Sequence, residues 1–175
     1  PGKHTVQGAL TNALSTVLAS QTAVSGAGRT DTGVHASFFC AHFDALRGDL
    51  DSDSQLLYNL NGILPDDIAV SRIVKVKPEA NARFDALSRT YMYTVTSVKD
   101  PFCADTAWLL YWQLDIEKMN EAASILLKHS DFTSFSRLHG SNKTNICRVT
   151  HARWHREADK LIFSITADRF LRNMV

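Results

Sequence analysis

Long apolar stretches are missing from this 175-residue sequence, although 45% of its residues are hydrophobic and 21% are charged. No segment approaches the roughly 20 apolar residues that a membrane-spanning helix needs. The first residues also lack the basic and apolar parts of a secretory signal. We therefore expect a globular, cytoplasmic protein without a membrane partner.

Cysteine is scarce, since Cys40, Cys103 and Cys147 form an odd and widely spaced set. Such a set indicates neither a disulfide framework nor a four-ligand zinc site, and it fits a reducing compartment. Cys147, His151 and His155 share one face of a predicted strand. An extended strand rises about 3.3 Å per residue, so these three side chains are too far apart to bind one zinc ion.

A calcium loop is excluded as well. Asp49, Asp51 and Asp53 have the first spacings of such a loop, but Ser54 and Leu60 stand where it needs Gly and Glu. The sequence therefore predicts no metal site.

Neither sign of charge prevails, because 19 basic and 18 acidic residues leave a net charge of +1. A nucleic-acid-binding domain is usually plainly basic. The average hides a segregation, however: residues 44–67 hold six acids and one base, whereas residues 137–175 hold eight bases and three acids. The basic end of the chain could still face a polyanion.

Hydrophobic periodicity predicts an α+β fold. Helices are expected over residues 5–19, over 52–63 and from Asp115, and strands over residues 34–43, 68–76, 89–98, 147–156 and 161–167. This order suggests two similar halves, residues 1–100 and 101–175, each with helices on one face of a mainly antiparallel sheet. The N-terminal half carries the motifs described next, and the C-terminal half is basic.

Residues 26–36, GAGRTDTGVHA, carry three glycines in eight residues. Glycine permits positive φ and a close approach of the backbone to a ligand. The spacing matches neither a dinucleotide fingerprint nor a phosphate-binding P-loop. The segment is either a plain tight turn or a loop that presents Asp31, whose ionised form the neighbouring Arg29 favours, for nucleophilic or electrostatic work.

Residues 88–93, SRTYMY, alternate as a strand does and place Arg89, Tyr91 and Tyr93 on one face. Such a face is commonly plain core. A half-buried tyrosine beside a charged cleft can instead stack on a nucleobase, and an adjacent arginine can bind a phosphate. The residues alone leave both alternatives open.

The segment GRTDTGVHA at residues 28–36 resembles the GRTDAGVHA signature of the TruA-type tRNA pseudouridine synthases. Other segments that are similar to family segments, in family order, are TVQ at 5–7, NLN at 59–61, LPDDI at 64–68, ARFDA at 82–86, RTYMY at 89–93, DFTSF at 131–135, KT at 143–144 and FLRNMV at 170–175. The resemblance covers essentially the whole chain.

The resemblance implies the pseudouridine synthase fold, with a catalytic cleft between the halves, and an isomerase that detaches uracil from its ribose and rejoins it through carbon. It implies no metal and no organic cofactor, tRNA as substrate, action on the anticodon arm, and a homodimer. Asp31 is expected to be the catalytic carboxylate, Tyr91 to stack on the flipped uracil, and Arg29 to hold the extruded nucleotide. Five further bases are expected to contact phosphates: Arg89, Lys143, Arg148, Arg169 and Arg172.

Two departures accompany the resemblance. Thr32 replaces the usual alanine of the signature, and family elements on both sides, including an arginine expected directly after Val175, lie outside this sequence. Residues 1–175 by themselves are therefore expected to have little or no activity. The alternatives are a non-catalytic RNA-binding module on the same fold and a nucleotide hydrolase, for which we find no second carboxylate or metal cluster at suitable spacing.

Overall fold

Three α-helices and six β-strands make up the described part of the chain, residues 5–136 and 144–175, in the computed structural model. Their order is α1 Val6–Val17, β1 Val24–Gly26, β2 Ala41–Phe43, α2 Ser54–Ile63, β3 Arg89–Thr96, β4 Trp108–Leu109, α3 Ile116–Leu126, β5 Val149–Glu157 and β6 Lys160–Ala167. The predicted α+β class is confirmed.

Side-chain caps set the start of each helix. Thr5 accepts a hydrogen bond from a backbone N–H of α1, Asp53 does so for α2 and Asp115 for α3. Each cap satisfies an N–H group that the first helical turn leaves without a partner. All three predicted helices are confirmed, although α2 begins two residues late because Leu50–Ser52 forms a separate 3₁₀ turn ahead of the cap.

Two predicted strands are largely wrong. Of the strand predicted over residues 34–43, only Ala41–Phe43 forms, where it pairs antiparallel with Val24–Gly26. The strand predicted over 68–76 is absent from the described residues. Instead, the side chain of Asn61 bonds both backbone groups of Val70, at 2.8 and 2.9 Å, and takes the place of a neighbouring strand.

The larger sheet has the order β4-β3-β6-β5. β3 pairs antiparallel with β6 from Arg89 opposite Ala167 to Thr96 opposite Lys160, and β5 pairs antiparallel with β6. The short β4 lies parallel to β3. The predicted strands over 89–98, 147–156 and 161–167 are confirmed with small shifts at their ends, and the sheet is mainly antiparallel as expected.

Two compact units divide the chain: the first comprises Pro1–Arg29 and Ala36–Asp85, and the second Thr30–His35 and Ala86–Val175. In the first, α1 and α2 pack around Leu14 and Leu60, with β1 alongside. In the second, α3 packs on one face of the four-stranded sheet around Phe132, Cys147 and Ile165. This division places β3 in the second unit, although the element order groups it with residues 1–100; a functional division at residue 100 stays a prediction.

None of the helices in residues 5–136 and 144–175 has the length and apolar character that crossing a membrane requires.

Candidate active site

The loop that carries the GRTDTGVHA segment connects the antiparallel strands β1 and β2, in which Val24 pairs with Phe43 and Gly26 with Ala41. A further backbone bond extends this pairing, from the N–H of Ala27 to the carbonyl of Cys40 at 2.9 Å. A Cβ at Gly26 would lie 3.0 Å from the ring of Phe39, so a side chain at this position would require that ring to shift. We call residues 24–27 and 40–43 the loop stem.

Asp31 begins a tight turn at the tip of this loop. The N–H of Val34 donates to the carbonyl of Asp31 at 3.3 Å, and Gly33 has a φ of 86°. A positive φ at the third residue is the pattern of a type II turn, which places Thr32 at the second position. The substitution of threonine for the usual alanine is therefore compatible with the backbone, because only the third position demands glycine.

Both predicted charged groups of the loop are open to solvent: Asp31 and Arg29 are exposed. The segment Thr30–His35 belongs to the second compact unit, the same unit as β3 with Tyr91, whereas Arg29 belongs to the first. The Asp31 carboxylate is therefore accessible from solvent.

Tyr91 lies in β3 opposite Ile165 and packs half-buried against the core of the second unit. Its ring meets the ring of Phe170 edge to face, with centroids 5.2 Å apart and an interplanar angle of 86°. Such a pair is a favoured arrangement of aromatic quadrupoles and fixes the tilt of both rings. The next tyrosine on this face, Tyr93, is 45% exposed. The tyrosine face is therefore neither plain core nor freely solvated.

Three of the arginines predicted to bind phosphate form hydrogen bonds with Asp168, the residue directly after β6. One Asp168 carboxylate oxygen, Oδ1, accepts the backbone N–H groups of Arg148 and Arg169, at 2.8 and 2.7 Å. The guanidinium of Arg89 donates to the carbonyl oxygen of Asp168 at 2.8 Å and to that of Ala86 at 3.4 Å. Arg89 is thereby fixed to the backbone, while the other two arginines are positioned through their main chains.

The two remaining predicted phosphate contacts are separate from this group. Arg172 is exposed, two residues beyond Phe170, and Lys143 lies outside the described residues.

No group of three or more His, Cys, Asp or Glu side chains in residues 5–136 and 144–175 is arranged to hold a metal ion. The prediction that Cys147, His151 and His155 share one strand face is wrong, because β5 begins after Cys147 and its pairing with β6 shifts register between Val149 and His151. Cys147 is fully buried, whereas His151 and His155 are exposed. Burial raises the pKa of the Cys147 thiol, and this effect outweighs the nearby positive charge of Arg169.

Sequence reasoning missed Asp168 and Phe170 as parts of this site. Phe170 stands in the segment FLRNMV that resembles the family, but nothing local indicates its contact with Tyr91 or that of Asp168 with Arg148, because these partners are far apart in the sequence. Only the pairing of β3 and β5 with β6 brings these partners together.

Comparison with known proteins identifies the family. A family model described as tRNA pseudouridine synthase matches residues 122–175. A protein of Bacteroides fragilis named tRNA pseudouridine synthase A is 51% identical over 176 residues, which cover 100% of this chain and 69% of that protein. Proteins with the same name from Porphyromonas gingivalis and a Geobacter strain are 49% and 36% identical, each over 100% of this chain and over 70% and 71% of their own lengths. Because relatives at this identity match from end to end of the chain, it belongs to the tRNA pseudouridine synthase family.

Proposed function

We propose that this protein isomerises uridine to pseudouridine in tRNA, in the anticodon arm. The observation that carries the proposal is the exposed Asp31 turn, in a chain whose relatives bear the name tRNA pseudouridine synthase A. The reaction breaks the bond between N1 of uracil and C1′ of ribose and forms a bond between C5 and C1′. The base loses a proton at C5 and gains one at N1, so the reaction needs neither an oxidant nor a reductant.

Asp31 acts as the catalytic carboxylate in this proposal, as a nucleophile toward the sugar or the base, or as the group that stabilises an equivalent intermediate. A nucleophile must be accessible and held in position. Exposure of Asp31 and the turn closed by Val34 meet these two requirements. Arg29, which is exposed two residues earlier, holds the extruded nucleotide.

Tyr91 stacks on the flipped uracil. Extraction of a base from an RNA stack costs a few kcal/mol, and an aromatic ring that replaces the lost stacking offsets part of this cost. The edge contact with Phe170 favours this role, because a ring whose tilt is already fixed loses little conformational freedom when a base stacks on it. The Tyr91 hydroxyl lies near the C5 proton in this arrangement.

The test is pseudouridine formation on unmodified tRNA by the natural full-length protein, with Asp31→Ala as the decisive variant. We expect activity to fall at least about 10³-fold, as it does when a nucleophile is removed. Asp66→Ala, which removes another exposed turn carboxylate, serves as the matched control and should retain activity. Normal activity in Asp31→Ala, or none in the wild type, would overturn the proposal, and tRNA binding without any product would favour a non-catalytic RNA-binding module.

Tyr91→Phe separates the two parts of the tyrosine role. The ring and its packing on Phe170 remain, so tRNA binding should stay within about twofold, while turnover falls because the hydroxyl is lost. Unchanged turnover would remove the hydroxyl from the mechanism.

We extend the proposal to a homodimer in the cytoplasm, which rests on the family resemblance of the motifs. Sedimentation of the full-length protein at micromolar concentration should give twice the mass of one chain, and a monomer would contradict this part.

A further inference from the structure

An exposed aromatic side chain stands on a well-bonded turn in the first unit. Phe84 is 79% exposed, and the guanidinium carbon of Arg83 lies 5.7 Å from the centroid of its ring. A single exposed apolar side chain is ordinary and implies nothing by itself. What distinguishes Phe84 is the number of bonds that fix its backbone.

Four hydrogen bonds hold the turn over residues 81–85 together. The side-chain oxygen of Asn81 accepts the N–H groups of Arg83 and Phe84, at 3.0 and 3.2 Å. In return, the Asn81 N–H donates to the Asp85 carboxylate at 2.7 Å, and the Asp85 N–H donates to the Asn81 carbonyl at 2.9 Å. These bonds are reciprocal, as in a helix capping box, and they hold Phe84 in solvent on a fixed backbone.

A hydrogen bond joins the same turn to the loop stem. The N–H of Ala82 donates to Nδ1 of His42 at 3.1 Å, across 40 positions of sequence. His42 lies in β2 opposite Ser25, two residues after Cys40, which closes the base of the loop with Ala27. The turn that carries Phe84 is therefore bonded to the base of the loop that leads to Arg29.

We propose that Phe84, backed by Arg83, is a stacking surface for an unpaired nucleobase of the RNA substrate. Proteins that hold single-stranded RNA stack its bases on exposed aromatic rings and on arginine planes, and the arginine adds attraction to the phosphates. A ring on a preformed turn suits this task, because little freedom is lost on binding. Stacking tolerates every base, so this contact contributes affinity rather than sequence choice. The inference rests on the proposed function.

The experiment measures the Kd for unmodified tRNA and, separately, kcat and KM for pseudouridine formation, with the full-length protein. Phe84→Ala should raise Kd and KM about tenfold, the size that stacking of one base supports, and leave kcat within about twofold. Phe84→Tyr should bind like the wild type and Phe84→Leu should not, since leucine keeps the apolar character and loses the aromatic face.

Phe102→Ala is the matched control, because Phe102 is 99% exposed on the 3₁₀ turn Pro101–Cys103. It should leave both constants unchanged. Equal thermal midpoints for all four variants would confirm intact folding, as expected for side chains in solvent.

Each outcome decides between the two proposals. Wild-type pseudouridine formation together with normal Kd in Phe84→Ala, or wild-type Kd in Phe84→Leu, overturns the stacking surface alone. If Phe84→Ala weakens tRNA binding but the wild type forms no pseudouridine, the proposed enzymatic activity is wrong and the proposed stacking surface is supported. A wild type that does not bind tRNA overturns both.

Discussion

Gly33 allows the turn that carries Asp31 to close, although it has no functional group of its own. Its φ of 86° lies in a region that a residue with a Cβ enters only at a cost of roughly 1–2 kcal/mol. We expect Gly33→Ala to strain or open the turn, to displace Asp31, and to lower pseudouridine formation at least about tenfold. Activity of the purified variant against tRNA measures this directly.

Gly28→Ala is the control for this variant. No atom lies within 4 Å of a Cβ at Gly28, and its φ is outside the positive region that marks Gly33. This variant should keep most of the activity. Equal losses in both variants would show that the loop tolerates no side chain at either position, so that backbone conformation is not what singles out Gly33.

Asp168 forms hydrogen bonds with three of the arginines predicted from the sequence as phosphate contacts. Its side chain bonds the N–H groups of Arg148 and Arg169, and its carbonyl bonds the guanidinium of Arg89. The three arginines were predicted individually as phosphate contacts, and that role stays a prediction. Their common attachment next to the Tyr91–Phe170 pair is a property of the folded sheet.

The helices owe part of their stability to two ionised caps. Backbone hydrogen bonds from Leu56 and from Lys118 lower the pKa of Asp53 and of Asp115, respectively, below the ordinary value of 3.8. The side chains of Arg47, on Asp53, and of Lys118, on Asp115, lower these pKa values further. Each carboxylate is thus more easily ionised in the folded chain than in the unfolded one.

A carboxylate with a lowered folded pKa stabilises the fold above its unfolded pKa, and this stabilisation is lost as the pH falls through the folded pKa. We therefore expect the free energy of unfolding to decrease as the pH is lowered from about 5. A variant with both Asp53→Asn and Asp115→Asn still caps both helices, since asparagine is a good N-cap. Its free energy of unfolding, measured by urea denaturation at a series of pH values, should decrease less below about pH 5 than that of the wild type. An equal decrease would contradict the role of the two charges.

The elements that could be predicted are those whose signal is local. A capping residue ahead of an amphipathic run defines each helix, and alternation defines β3 and β6. The strands predicted over 34–43 and 68–76 failed because a strand needs a neighbour to bond with. The loop stem supplies one only for Ala41–Phe43, and the side chain of Asn61 replaces one at Val70.

At the scale of the whole molecule, a net charge of +1 conceals a basic end. Six bases against three acids remain in the described residues 144–175, and Arg148 and Arg172 are exposed there. Binding of a polyanion through such a surface releases counterions, so affinity falls as salt rises. We expect the Kd for tRNA to increase steeply between 50 and about 200 mM salt despite the small net charge.

Arg172→Gln should reduce the slope of log Kd against log salt by about one, the effect of one lost phosphate contact. Arg72→Gln, an exposed arginine of the first unit outside every predicted contact, should leave the slope unchanged. A wild-type slope in Arg172→Gln would remove this residue from the RNA-binding surface.

The sequence by itself determined the fold class, the presence of all three helices and the family, and it singled out Asp31 and Tyr91 as candidates, because periodicity and a nine-residue motif lie in neighbouring positions. Tertiary structure decided the long-range contacts: the ring of Phe170 meets that of Tyr91, Asp168 bonds three arginines, and His42 bonds the turn that carries Phe84. Apart from the bond between Asp168 and its neighbour Arg169, these contacts join positions 20 to 79 residues apart, and no local pattern encodes them. Chain pairing across the sheet and the loop stem creates them, so they exist only once the chain has folded.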